Sequence, residues 1–167
     1  MTQHGVTEPP SGWVVRWAPR VVRGPVLDLA CGGGRHSVFF KNLGFEIVAV
    51  DRMPVQLEGI RFVEADLENG KPWPFVGQRF GGIVVTNYLH RPLFPHIRSC
   101  LGQGGVLIYE TFMAGNERFG KPSNPDFLLR PGELREAFGG LELLAFEEGE
   151  VQEPKRAMVQ RICALKR

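Results

Sequence analysis

The chain has 167 residues, 43% of them hydrophobic and 23% charged, which is typical of one globular domain and excludes a disordered protein. Its net charge of +2 has no concentrated basic run, which argues against nucleic acid as the main partner. The three cysteines form no Cys-x-x-Cys pair, and no window is long and apolar enough for a membrane helix. Because the first ten residues are also polar and lack a secretory signal, we expect a cytoplasmic protein with no membrane partner.

Short apolar runs alternate with helical stretches along the chain, which is the pattern of a mostly parallel sheet covered by helices. Helices are predicted over residues 12–22, with Ser11 as N-cap, and over 36–43, 93–101 and 131–138. Strands are predicted over residues 25–30, 45–50, 60–65, 80–86, 106–109, 141–147 and 157–165. The sequence therefore predicts a single α/β domain over residues 1–167, with a doubly wound sheet of seven strands.

The connection between the second and third predicted strands is unusually short. Only residues 52–59 separate Asp51 from the next strand, and Pro54 lies among them. Parallel strands normally need a crossover of about a dozen residues. We therefore predict that the crossover helix after the second strand is reduced to a turn or a short 3₁₀ segment.

A glycine cluster, residues 32–34, follows the first predicted strand and precedes a helix. Such a turn exposes backbone N–H groups and lets a ligand approach, because glycine has no Cβ. Taken alone, the spacing is also compatible with a tight strand-to-helix turn that binds nothing. Asp28 favours the ligand, because an ionised group inside an apolar strand needs a partner such as a cationic ligand or a loop N–H group.

Two further carboxylates follow strands at the same predicted edge of the sheet. Asp51 ends the second strand, where a carboxylate can accept both hydroxyls of a ribose. Asp66 follows the third strand and is placed to reach the exocyclic amine of an adenine. The three carboxylates together indicate a nucleoside-containing cofactor.

The segment Asp28-Leu-Ala-Cys-Gly-Gly-Gly34 resembles the first motif, Asp/Glu-x-x-x-Gly-x-Gly, of the class I S-adenosylmethionine-dependent methyltransferases. The resemblance covers nearly the whole chain, since the family's second acidic residue matches Asp51 and its Ala-Asp pair matches residues 65–66. The run before the predicted fifth strand, residues 101–105, matches as well. Among its subgroups the chain looks most like the small tellurite-resistance and thiol or thiopurine methyltransferases. The resemblance implies a Rossmann-like sheet with a reversed last strand, and S-adenosylmethionine as the cofactor.

The resemblance also implies which residues form the cofactor site. These residues lie in the first strand or after one of the first four: Asp28, Ala30, Cys31, Gly32, Gly34, Arg35, Asp51, Arg52, Asp66, Leu67 and Asn87. We interpret Cys31 as a packing residue beside the cofactor and not as a nucleophile. The departure from the family is the reduced crossover helix, which leaves the adenine side less enclosed.

In the family, the fourth strand ends near the transferred methyl group. Tyr88 is therefore predicted to position a substrate, and His90 to act as a base where the nucleophile arrives protonated. A hydrogen bond from His90 to the backbone is the alternative. His90 and His96 lie on different elements, so we predict no metal site.

Three more residues are candidates for substrate contacts. Glu110 follows the fifth strand, and Arg118 and Phe119 lie in the long loop over residues 113–130. The alternatives are an N-cap or salt-bridge role for Glu110, and a surface pair of Arg118 with Glu117 or Asp126.

We therefore expect a methyltransferase that acts on a small-molecule acceptor, such as a thiol or a metalloid. Methylation of a nucleobase nitrogen is disfavoured, because Asn87 lacks the two prolines that follow it in amino-methylating relatives. One alternative is a non-catalytic cofactor-binding module, which the reduced crossover helix favours. Another is an NAD-dependent enzyme. Asp28 argues against this alternative, because NAD-binding proteins normally have an apolar residue at that position. The acceptor and the oligomeric state remain open at this stage.

Overall fold

The computed structural model describes residues 8–167, so the expected absence of a signal in residues 1–7 lies outside the described part. The strands are β1 (Val26–Leu29), β2 (Ile47–Asp51), β3 (Arg61–Glu64), β4 (Phe80–Thr86), β5 (Leu101–Phe112), β6 (Glu142–Val151) and β7 (Ala157–Leu165). The α-helices are α1 (Gly12–Trp17), α2 (Arg35–Asn42), α3 (Phe94–Cys100) and α4 (Glu133–Ala137). Short 3₁₀ turns lie at Ala18–Arg20, Arg91–Leu93, Asn116–Arg118 and Pro125–Phe127.

All seven strands form one sheet in the order β3-β2-β1-β4-β5-β7-β6. Strands β1 to β5 are parallel, whereas β7 runs antiparallel to both β5 and β6. The predicted α/β class, the seven strands and the reversed last strand are therefore confirmed. The strand order reverses between β1 and β4, and open α/β sheets bind ligands at the carboxyl ends of the strands beside such a switch point.

Apolar side chains cover both faces of the sheet, which makes the fold doubly wound. On one face, α1 and α2 bury Trp13 and Phe40 against the strands. On the other face, α3 and α4 bury Phe94 and Phe138. The connection between β3 and β4 contains no helix and fills its part of this second face with Trp73 and its neighbour Phe75.

The predicted loss of the crossover helix after β2 is confirmed, because residues 52–60 contain no helix and only a turn at residues 58–59. The side chain of Leu57 takes the place of the helix by packing on the start of α2. A Cβ added to Gly34, which has a φ of +87°, would lie 2.7 Å from the Leu57 methyl carbons. The contact explains why the strand-to-helix turn needs glycine at this position.

The largest differences between predicted and observed boundaries are at the first helix and the fifth strand. The helix predicted over residues 12–22 ends at Trp17 and continues as a 3₁₀ turn, because Pro19 has no N–H for the α-helical ladder. The strand predicted over residues 106–109 is β5, which extends over Leu101–Phe112. Gly104, at a φ of 78°, lies within this longer strand. In residues 8–167, no helix is long and apolar enough to span a membrane.

Candidate functional site

A cavity of about 470 Å³ lies where the parallel strands end, which is the edge where the sequence places its candidate residues. One part, which we call the β1–β3 end, is lined by the residues that follow those strands: Ala30, Asp51, Arg52, Ala65, Leu67 and Glu68. The other part, which we call the β4–β5 end, is lined by Asn87, Tyr88, Leu89, Thr111, Phe112, Pro122 and Phe127.

The backbone at the centre of the cavity is in an unusual conformation. Within residues 8–167, the only non-glycine residues with positive φ are Ala30 at 55° and Asn87 at 54°. They follow β1 and β4, which are neighbours at the switch point of the sheet, and both line the cavity. Left-handed backbone costs a residue with a Cβ about 1–2 kcal/mol, and such residues cluster at ligand sites.

The glycine turn leaves room for a ligand beside Asp51. Gly32 has a φ of +54°, and no atom lies within 4 Å of the position that a Cβ would take. Its N–H group donates to Oδ2 of Asp51 at 2.9 Å, and the N–H group of Met53 donates to Oδ1 at 2.9 Å. Each carboxylate oxygen keeps a second lone pair. Asp51 is thereby held in place and can still accept two hydroxyl groups.

Asp28 is buried behind the glycine turn and does not line the cavity. Its partner is the Ser37 hydroxyl on α2, which donates to Oδ2 at 2.7 Å. The sequence led us to expect a cationic ligand or a loop N–H group as this partner. Burial raises the pKa of Asp28 to about 6, because the loss of solvation outweighs the hydrogen bond from Ser37.

The raised pKa of Asp28 predicts a measurable pH dependence of stability. The folded state holds the proton of Asp28 up to a higher pH than the unfolded chain does, so stability falls as pH rises from the unfolded pKa of 3.8 to the folded pKa of about 6. Between roughly pH 4 and pH 7 we expect the unfolding free energy of the wild type to fall by about 2 kcal/mol relative to Asp28→Asn. Urea denaturation of both proteins across this range measures the difference. A constant difference would show that Asp28 does not titrate in this way.

Cys31 is buried beside the two aspartates. Burial, together with the charges of Asp28 and Asp51, raises the pKa of its thiol to about 12. A neutral thiol is a poor nucleophile. The geometry therefore supports a packing role for Cys31.

Arg35 and His36, at the start of α2, hold the segment that precedes α1. The Arg35 guanidinium donates to the carbonyl of Pro9 at 3.0 Å, so this predicted cofactor residue is placed outside the cavity lining. The N–H group of Ser11 donates to Nε2 of His36 at 3.0 Å. Burial lowers the pKa of His36 to about 4, so its ring is neutral. His36 was not among the predicted site residues, although only Arg35 separates it from the glycine cluster.

A second cavity, of about 440 Å³, lies between the β3–β4 connection and α3. It shares Ala65, Leu67 and Glu68 with the first cavity. Asp66 and His90 line this second cavity and not the first. Of the predicted residues near the third strand, only Leu67 thus lines the first cavity.

Glu68 lines both cavities and contacts one predicted residue in each. The Tyr88 hydroxyl, in the first cavity, donates to Oε2 of Glu68 at 3.0 Å. Nδ1 of His90, in the second cavity, lies 3.6 Å from Oε1. Burial and the Glu68 carboxylate hold the pKa of Tyr88 above its usual range, so the hydroxyl stays protonated. Tyr88 and His90, which the sequence analysis placed together near the transferred methyl group, therefore line different cavities.

Glu110 is buried, and both of its carboxylate oxygens accept hydrogen bonds from side chains of the protein. Ser11 donates its hydroxyl to Oε1 at 2.7 Å, and the Arg161 guanidinium donates to Oε2. The register of β5 with β7 places Glu110 opposite Arg161. Glu110 does not line the cavity, and its predicted contact with a substrate stays a prediction. The salt-bridge alternative describes the structure.

Arg118 and Phe119 also lie outside the cavity lining. Nε of Arg118 donates to the carbonyl of Gly115 at 3.1 Å, and its guanidinium lies 5.1 Å from the Phe119 ring centroid. Arg156 covers the same ring at 4.6 Å. The long loop does reach the cavity, but through Pro122 and Phe127 in place of the two predicted residues.

Arg91 holds the loop around Phe127 in place through hydrogen bonds. It was not among the predicted site residues. Its Nε and Nη2 donate to the two carboxylate oxygens of Glu133, at 2.6 and 2.9 Å. Nη2 also donates to the carbonyl of Leu128 at 2.9 Å, and Nη1 to that of Asp126 at 3.2 Å. Arg91 thereby holds both residues that flank Phe127. The acidic residue at the start of α4, Glu133, is the partner that Arg91 neutralises.

Among the described residues 8–167, no three His, Cys, Asp or Glu side chains are grouped closely enough to hold a metal ion.

Comparisons with known proteins support the resemblance. Residues 7–71, less than half of the chain, match the family model for the tellurite resistance protein TehB. No curated protein matches the sequence. The structure is similar to TehB from Haemophilus influenzae, with a TM-score of 0.76 and 20% identity, over 95% of this chain and 63% of that protein. The chain thus spans less than two thirds of that relative.

Other solved methyltransferases have the same fold. For the 1,6-didemethyltoxoflavin-N1-methyltransferase of Burkholderia thailandensis, solved with S-adenosylhomocysteine and its acceptor bound, the TM-score is 0.67 at 17% identity, over 92% of this chain and 76% of that one. For the N-methyltransferase NodS of Bradyrhizobium japonicum WM9, it is 0.66 at 13% identity, over 92% of each chain. The predicted resemblance to class I S-adenosylmethionine-dependent methyltransferases is confirmed for the fold.

Proposed function

We propose that this chain, which has the class I methyltransferase fold, transfers a methyl group from S-adenosylmethionine to a small-molecule acceptor in the edge cavity. One observation carries the proposal: the open turn at Gly32 donates an N–H group to a fixed carboxylate, Asp51, and Asp51 lines a cavity that continues past β4 and β5. The turn and Asp51 offer a place for a nucleoside cofactor, and the part of the cavity past β4 and β5 offers a place for the acceptor.

The residues at the β1–β3 end, and those directly beside it, fit the proposed cofactor. Gly32 leaves the space that a Cβ would fill, and Asp51 keeps lone pairs for the two ribose hydroxyls. Leu67 supplies an apolar surface for a base. Asp66 lies beside this end, in the adjoining second cavity, where its Oδ1 accepts the N–H group of Glu68 and its Oδ2 is left for the amine of an adenine. When it is bound, the cofactor supplies an electrophilic methyl group and a leaving sulfur that needs no proton.

The task of the protein is therefore to align the acceptor with that methyl group. Alignment of two reactants is worth about 7–11 kcal/mol in favourable cases. Leu89, Phe112 and Phe127 line the β4–β5 end and give it an apolar surface. Tyr88 holds its proton, because burial and Glu68 keep its pKa high, so it positions an acceptor as a hydroxyl and does not act as a base.

Formation of S-adenosylhomocysteine tests the proposal directly. The purified protein is incubated with S-adenosylmethionine and, one at a time, with thiols, selenite, tellurite and heterocyclic amines, and the product is quantified by mass spectrometry. We expect formation that depends on one acceptor class and is lost in Asp51→Ala. If the cofactor binds but no acceptor yields product, the reduced crossover helix favours the non-catalytic binding module instead.

A further inference from the structure

The β4–β5 end of the cavity is apolar. Five of its seven lining residues contribute an aliphatic or aromatic surface: Tyr88, Leu89, Phe112, Pro122 and Phe127. The two remaining residues, Asn87 and Thr111, offer an amide and a hydroxyl, neither of which carries charge. Such a surface stabilises a bound molecule by burying its apolar area, and its aromatic rings favour flat partners.

Cationic groups are missing from this end. Among residues 8–167, the only Lys or Arg that lines the cavity is Arg52, whereas Asp51 and Glu68 line it as carboxylates. Arg52 follows β2, and β1 separates β2 from β4 in the sheet. Neighbouring strands lie about 4.8 Å apart, so Arg52 starts roughly 10 Å from the end of β4.

Two arginines on elements beside this end, one after β4 and one on β7, already have partners. Arg91 is paired with Glu133, and Arg161 is paired with Glu110. Residues 1–7, which lie outside the described part, contain neither Lys nor Arg. An oxyanion that leaves water needs cationic or N–H partners, and guanidinium groups are the usual ones. The charges here therefore oppose an oxyanion acceptor.

We infer that the acceptor is an uncharged molecule with a flat apolar body, and that the cavity discriminates against oxyanions such as tellurite and selenite. The inference rests on the proposed function, because it assigns the β4–β5 end to the acceptor. The matching family model is named for tellurite resistance, whereas the inference makes tellurite a poor acceptor for this chain. The acceptor lies against Phe127, which is half exposed at the rim of the cavity.

Calorimetric titration of the protein saturated with S-adenosylhomocysteine tests the inference, with quinoline as the uncharged planar probe and selenite as the oxyanion. Near neutral pH, we expect saturable binding of quinoline and an affinity for selenite at least about tenfold weaker. Phe127→Ala removes one aromatic wall, so it should weaken quinoline binding roughly three- to tenfold. The affinity for S-adenosylhomocysteine should stay within about twofold in this variant, because Phe127 does not line the β1–β3 end.

Leu143→Ala is the matched control. Leu143 is 45% exposed, close to the 50% of Phe127, but it lies on β6 and outside the cavity lining. The control should bind quinoline like the wild type. Selenite binding as tight as quinoline binding, no quinoline binding, or equal effects of the two substitutions would each overturn the inference. Failure of the wild type to bind S-adenosylhomocysteine, which is measured first, would instead overturn the proposed function.

Discussion

Replacement of Asp51 by alanine is expected to weaken the binding of S-adenosylmethionine by about 10- to 100-fold. The carboxylate is fixed by the N–H groups of Gly32 and Met53 and keeps lone pairs for the two ribose hydroxyls. Hydrogen bonds to a charged group contribute about 1.5–3 kcal/mol, which corresponds to this range of affinity. Calorimetric titration of the variant beside the wild type measures the loss.

Glu46→Ala is the control for this experiment. Glu46 is an exposed carboxylate directly before β2, at the opposite end of the strand from Asp51. The control should bind the cofactor like the wild type. Both variants should stay folded, because each substitution touches only partly exposed groups and costs about 1 kcal/mol or less. An unchanged affinity in folded Asp51→Ala would show that the ribose does not lie at Asp51.

Arg91→Ala is expected to lower the free energy of unfolding by about 3 kcal/mol. The side chain of Glu133 is only 5% exposed, so removal of the Arg91 guanidinium leaves a buried carboxylate without its main ion-pair partner. Loss of one partner from a buried ion pair typically costs about 3–5 kcal/mol. We place the effect at the lower end because the Arg91 side chain is 33% exposed. Urea denaturation followed by circular dichroism measures the change.

Arg130→Ala is the matched control, because Arg130 contacts the same carboxylate. Its guanidinium lies 3.8 Å from Oε2 of Glu133, but the side chain is 72% exposed. Pairs that are exposed to this extent contribute about 1 kcal/mol or less. The double variant Arg91→Ala with Glu133→Gln should regain part of the loss, since it removes the unpaired charge. Equal effects of the two arginine substitutions would contradict the assignment of Arg91 as the main partner.

The arrangement of the strands could be predicted because it follows from local signals. The limits of β4 agree with the prediction, since a continuous apolar run identifies a buried parallel strand. The reduced crossover after β2 could also be predicted, because chain length alone leaves no room for a helix. The length of β5 could not, because Gly104 and Gly105 break the local pattern while pairing with neighbouring strands continues it.

The candidate site shows where sequence reasoning stops. Asp51 was placed correctly at the cavity, because the end of a parallel strand can be located from the sequence. Glu110 is also at a strand end, but its partner Arg161 comes from β7, and this pairing depends on a register that the sequence does not specify. Phe127 reaches the cavity through a loop that Arg91 holds, and this long-range contact left no periodic signal.

The central claim is that the edge cavity binds S-adenosylmethionine. Calorimetric titration of the wild type with S-adenosylmethionine, S-adenosylhomocysteine and NAD, in parallel, tests this claim most directly. We predict saturable binding of the first two, with one site per chain, and no binding of NAD. Binding of NAD alone, or of none of the three, would contradict the claim.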